Sequence, residues 1–236
     1  MPEPQRFTGF PPEAFAWFAG LRDDNSKSYF TAQRTTYDAA VRGALEAMLE
    51  ALAAELGGGG AVKVFRQQRD TRFSADKSPY KTRTYGLISD RPGTLAGLYA
   101  EVSEDGLFAG TGYYALAPDQ LGRFRAAVAD EATGPELERA IATARDAGVA
   151  LFGEALKTAP RGYPRDHPRV ALLRHKSLVA GGRRAPDAGG IPRDTALAHA
   201  RAVWDACGPL NAWLDAHVGA SDAPPPPSRY GARRAR

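Results

Sequence analysis

The chain has a single cysteine, Cys207, so no disulfide can form within it and no zinc site can be built from paired cysteines. Long apolar runs are also missing, and nothing approaches the roughly 20 residues that span a bilayer. The opening residues, MPEPQRFTGF, lack a basic stretch followed by an apolar core and do not read as a secretory signal. Together these absences set the expectation of a cytoplasmic protein with no membrane segment. Histidine is scarce, and His167 and His175 stand eight apart without acidic partners, so no metal is expected. No phosphate-cradling G-x-x-x-x-G-K, no G-x-G-x-x-G and no nucleophile elbow occur, and Gly110-Thr111-Gly112 reads as a glycine pair in a strand. No cofactor is therefore expected. Ser74-Ala75-Asp76-Lys77 has the S-x-x-K spacing, but Pro79 follows too soon for the helix that spacing requires, and its companion motifs are missing.

The 236 residues are ample for one packed domain, and an apolar fraction of 43% argues against wholesale disorder. The net charge is +4, but it is unevenly placed. Residues 219–236 contribute +3 through Arg229, Arg233, Arg234 and Arg236 against Asp222, which leaves +1 for residues 1–218. Within that nearly neutral part, residues 63–85 carry seven Lys or Arg against Asp70 and Asp76. Residues 157–184 carry eight against Asp166. Two basic segments thus sit in an acidic host, and if the fold joined them they would make one positive concavity that attracts anions. Lysine is rare, with six against 25 arginines, and five of the six fall in these two segments.

Periodicity predicts a short helix over 12–21 and a long one from Thr31 to about Leu56, with an apolar stripe of Tyr37, Val41, Leu45, Met48, Leu49, Leu52 and Leu56. Residues 61–69 read as a strand, and those from Asp70 to Pro79 as a loop. Residues 94–103 and 107–116 read as a hairpin turning at Asp105-Gly106. Helices are expected at 118–128 and 134–147, a strand at 149–158 and a short helix at 168–174. A strand is expected at 176–180, a flexible loop over 181–194, and a final helix capped by Asp194 and broken near Pro209. The fold class is α+β, with an antiparallel sheet and helices at both chain ends. Residues 1–218 are expected to form a single domain and 219–236 a disordered tail rich in proline and arginine.

FTGF at 7–10, FAWFAGL, FRQQRDTRFSADKSPYK at 65–81, GTGYY, and LKTAPRGYPRDHP at 156–168 carry a likeness in this order. The chain resembles the bacterial and fungal family catalogued as domain of unknown function 2461 over residues 7–215. That resemblance implies a shared site without an established activity. One departure lies in the first loop, where the family usually shows two asparagines and a Trp-Phe pair; here stand Asp24-Asn25 and Tyr29-Phe30.

The residues themselves point to an anion. Arg66, Arg69, Arg72, Lys77 and Lys81 crowd five cations into 16 positions, with Asp70 and Asp76 to orient some of them through carboxylate forks. Lys157 and Arg161 would add charge from the second segment, whose three prolines stiffen it. Ligand-binding roles are therefore expected for Arg66, Arg69, Arg72, Asp76, Lys77, Lys81, Lys157 and Arg161. Asp70 or His167 would move a proton if the site is catalytic. His167 is equally placed to cap the helix after Pro168. The expected partner is a small phosphate- or carboxylate-bearing molecule. Nucleic acid is the alternative, held by the tail, the basic segments and exposed Tyr80, Tyr85 or Tyr163. An acidic protein partner, or a structural salt-bridge network, is the third reading.

Overall fold

The computed structural model describes residues 6–57 and 60–222. The chain opens with β1 (Gly9–Phe10) and α1 (Pro12–Asp23), with Pro12 in its first turn, where the missing N–H costs nothing. The long helix expected from Thr31 is interrupted. Ser26 accepts the N–H of Tyr29 at 3.1 Å and starts α2 (Lys27–Ala32) early. A short α3 (Arg34–Thr36) runs into a π-helical stretch, Tyr37–Gly43, before α4 (Ala44–Glu55). Leu45, Met48, Leu49 and Leu52 of α4 are fully buried, each contributing about 1.5–3 kcal/mol of apolar burial.

β2 (Ala61–Val64) is shorter than the sequence suggests, and β3 (Arg83–Ser89) was not anticipated at all. β4 (Gly97–Ser103) and β5 (Gly106–Tyr113) form the expected hairpin. Next come α5 (Pro118–Ala129) and α6 (Thr133–Asp146), near their expected bounds. β6 (Ala150–Phe152) keeps only three residues of the expected strand. α7 (Val170–Leu173) leads to β7 (Leu178–Arg184), so Gly181 to Arg184 belong to a strand and not to a loop. β8 (Ile191–Pro192) pairs with β1. α8 (Arg193–Ala206) begins after Pro192, with Asp194 in its first turn and not at the cap. It stops at Cys207, and α9 (Gly208–His217) restarts with Pro209 in its first turn, as Pro209 led one to expect.

The architecture is α+β. Six antiparallel strands follow the order β2-β3-β4-β5-β7-β6. One face meets the helices. Leu49 of α4 packs over Gly86, Val203 and His199 of α8 over Gly182, and Asn211 of α9 bonds Thr111. One hydrophobic core runs from Phe7 to Val218. Residues 219–222 lie against α5, where Gln120 and Arg123 donate to the carbonyls of Gly219 and Ala220 and Asp119 accepts from Ser221 and Asp222. The rest of the expected tail, from residue 223, lies outside the described residues. Among the described residues, no helix is long and apolar enough to cross a membrane.

Candidate functional site

The basic loop is anchored at both of its ends. Gln68 bridges Tyr80, Arg69 N–H donates to the Pro79 carbonyl at 2.8 Å, and Lys81 N–H to the Gln67 carbonyl at 3.0 Å. Gln67, buried, accepts from Thr84 at 2.7 Å and donates to the Lys81 carbonyl. From the first loop, Asn25 brackets Tyr80. Its Nδ2 donates to the Tyr80 carbonyl at 3.1 Å and its Oδ1 accepts the Tyr80 N–H at 3.0 Å. Phe30 stacks on the Tyr80 ring at 4.3 Å and 9°. Tyr80 is therefore core, and was wrongly expected at the surface.

The loop's cations are largely answered from within. Arg69 pairs with Asp76 and reaches Ser74, and Asp76 also accepts the Ser78 N–H at 2.8 Å. Arg72 forks Asp70 at 2.9 and 2.6 Å. Those bonds hold Asp70 down to about 2 and Asp76 below the usual carboxylate range, so both stay charged acceptors near neutral pH. Lys77 donates to the Thr71 carbonyl at 3.0 Å and Lys81 to the Arg66 carbonyl at 2.6 Å. Arg66 is exposed. At the tip, Phe73 is 98% exposed, with the Arg72 guanidinium 6.0 Å from its ring centre.

Of the second basic segment, Arg183 meets Arg83 of the first at Glu101, but the 157–167 stretch does not join the 66–81 loop. β2 and β6 are opposite edges of the sheet, about 24 Å apart at about 4.8 Å per strand. The chain also leaves them at opposite ends. The 66–81 loop closes beside Arg83 and Ser103, whereas the chain leaves β6 at Phe152, level with Val179 and Gly112. The 66–81 and 157–167 loops do not share one concavity, because β7 is inserted between β5 and β6 and carries β6 to the far edge. Lys157 and Arg161 are exposed there. His167 Nδ1 accepts the backbone N–H of Arg169 at 3.0 Å in the turn before α7, whose N-cap position is Arg169 and has no side-chain cap.

What the basic loop does join is the other face of the sheet, which sequence reasoning missed. Phe65, Tyr85, Tyr99, Phe108 and Phe152 form a ladder across it, with ring centres 4.9, 5.7, 6.0 and 5.3 Å apart in turn. The register explains the ladder: Tyr85, Glu101, Phe108 and Arg183 are cross-strand partners on one face. Phe108 lies over Gly181, where a Cβ would come within 2.3 Å of its ring. Cations flank the rings. Lys63 sits 5.1 Å from Phe65, Lys81 4.8 Å from Tyr85, and Arg183 5.5 Å from Phe108. Partial burial, then Arg66 and Arg83, lower the Lys81 pKa. Glu101, 8% exposed at its side chain, is gripped by Arg83 at 3.3 Å and Arg183 at 3.1 Å and accepts from Tyr99 at 2.6 Å. Burial, reinforced by Glu101, pushes the Tyr99 phenol up, so it remains a donor. Lys63, Lys81, Arg83 and Arg183 against Glu101 leave this face positive. The signal was present as alternate aromatics in neighbouring strands, but strand order and register were needed to see it.

A family model described as a conserved hypothetical protein (DUF2461) matches residues 13–213. No curated protein matches the chain. The match spans most of the sequence, and the chain belongs to that family.

Proposed function

We propose that this member of the family is a binding protein for single-stranded nucleic acid, using the ring-bearing face of its sheet and the 66–81 loop. The ladder from Phe65 to Phe152 carries the reading. An array of rings crossing the sheet suits a ligand with repeating flat units, and flanking Lys and Arg suit a phosphate backbone. Phe73, exposed at the loop tip, adds a ring beyond the sheet edge. A small anion held by the loop alone is less favoured, since Arg69 and Arg72 already face Asp76 and Asp70. In this reading Asp70 and His167 orient Arg72 and the α7 turn, and no proton transfer is assigned to them.

Fluorescence anisotropy with a labelled dT12 oligonucleotide tests the proposal. The net of three positive charges left by Lys63, Lys81, Arg83 and Arg183 against Glu101 predicts a slope of log affinity against log salt of about −2, at about −0.7 per phosphate. Phe152→Ala, at a half-exposed edge position, is expected to weaken binding by roughly fivefold or more, and Lys81→Gln with Arg183→Gln to flatten the slope. A chain ending at Asp222 separates the face from the tail. If it no longer binds, or if dT12 does not bind at low salt, the reading is wrong. Tight binding of a nucleoside monophosphate without oligonucleotide preference would return the site to a small anion.

A further inference from the structure

The ring-bearing face is divided along its strands. Charges stand at the end nearest the 66–81 loop. Glu101 and Arg183 share a cross-strand row with Tyr85 and Phe108, Arg83 lies two residues before Tyr85, and Lys81 reaches the Tyr85 ring at 4.8 Å. Four residues away along β4, about 13 Å from Glu101, the row consists of Gly97, Gly112, Val179 and Phe152. None of these four carries a charge.

Gly97 differs from the other glycines of this face. Gly110 and Gly181 are roofed by the Phe108 ring, which a Cβ on them would meet at 2.9 and 2.3 Å. Gly112 has a φ of +130°, and a Cβ there would strike the Leu178 carbonyl at 2.2 Å. Gly97 has neither reason. Its φ is not positive, and a Cβ would meet only Leu87 Cδ2 at 3.8 Å and the Ile88 carbonyl at 4.0 Å, ordinary contact distances. A glycine in a strand costs backbone entropy and packs nothing; where the fold does not call for it, it leaves room for a ligand to approach the backbone closely.

The neighbouring rings border that space without filling it. Tyr99 is drawn towards the charged row, where its hydroxyl donates to Glu101 at 2.6 Å. Tyr114 follows β5 on the same side of the sheet, since Tyr113 before it bonds Asp215 among the helices at 2.7 Å. Burial raises the Tyr85 pKa and Tyr114 raises it further, which sets both rings over one face. Tyr114 is 88% exposed, so its ring is open to a ligand. Bare backbone bordered by rings and an aliphatic side chain, with no charge, suits a flat base and not a phosphate. Resting on the single-strand reading above, we propose that the bound strand crosses the sheet with its phosphates at Lys81, Arg83 and Arg183 and with one base seated over Gly97, bordered by Leu87, Tyr99 and Tyr114.

The test uses the full chain and two labelled 12-mers in fluorescence anisotropy: dT12, and the same backbone with abasic sites in place of the thymines. The parent is expected to bind dT12 at least about fivefold more tightly than the abasic strand. Gly97→Val fills the seat. It is expected to weaken dT12 by about fivefold or more, to leave the abasic strand within about twofold, and to melt no lower than the parent. Gly97→Ala fills less of the seat and is expected to lose about threefold on dT12 alone; it decides the matter if Gly97→Val lowers Tm. Lys81→Gln with Arg183→Gln weakens both strands alike. Failure of dT12 to bind the parent overturns the single-strand reading, and the seat with it. Binding of dT12 by the parent with undiminished affinity in both Gly97 variants overturns the seat alone. So does a loss in those variants that is equal for the two strands, or an abasic strand that the parent holds as tightly as dT12.

Discussion

Asn25→Ala removes two hydrogen bonds, at 3.1 and 3.0 Å, that join the first loop to the backbone of Tyr80. Tyr80 is buried, so its N–H and carbonyl have little water to turn to. At about 1 kcal/mol net for each bond, the loss is about 2 kcal/mol. For a chain of this size that lowers Tm by about 4–8 °C. The damage is local in origin, because Tyr80 ends the basic loop. Hydrogen exchange at the Tyr80 and Lys81 amides should therefore accelerate more than exchange in β4 or β5. Asn25→Asp keeps the acceptor for the Tyr80 N–H but sets a carboxylate against the Tyr80 carbonyl, and should rescue little. The assays are thermal melts with matched exchange measurements. A Tm within about 1 °C of the parent, with unchanged Tyr80 exchange, would refute the claim that the first loop holds the basic loop in place.

Two further predictions concern the site face. Gly181→Ala puts a Cβ 2.3 Å from the Phe108 ring and 2.5 Å from the Ala109 carbonyl, and is expected to cost about 2 kcal/mol or more while disordering the ladder; unchanged urea unfolding would contradict this. Asp70 gives a pH dependence. Its folded pKa, about 2, lies below its ordinary value of 3.8, so the unfolded chain binds the extra proton first. The loop's stabilisation is thus complete above about pH 4 and fades as pH falls towards 2. Asp70→Asn should remove that part of the acid limb in Tm against pH, and an identical profile would reject the assignment.

The helices were legible because their apolar stripes repeat at 3.6 residues, and Pro12, Pro118 and Pro209 mark first turns. β3 was not, and its inward positions show why. They are Thr84, Gly86 and Ile88, and only the last gives an apolar signal. Thr84 is buried because Gln67 satisfies it, and Gly86 because Leu49 fills the space over it. Gly181 and Gly182 read as loop by composition, yet glycine is needed in β7 so that Phe108 can cover Gly181. The charge of the 66–81 loop was visible in the sequence, but its pairing was only half so. Arg72 with Asp70 is local, while Arg83 and Arg183 meet at Glu101 through register alone. No local signal tells that β6 docks beyond β7, and that single crossover parts the 66–81 loop from the 157–167 loop.

That crossover also constrains assembly. The partner that covers β5 is β7, and roughly seventy residues separate Tyr113 from the end of β7 at Arg184. At about 5–20 residues per second of synthesis, β5 stands as a bare sheet edge for roughly 4–14 s on the ribosome. β6 emerges earlier than β7, yet has nothing to pair with until β7 is laid down. Phe152 thus cannot enter its ladder until β7, encoded downstream of it, has been made.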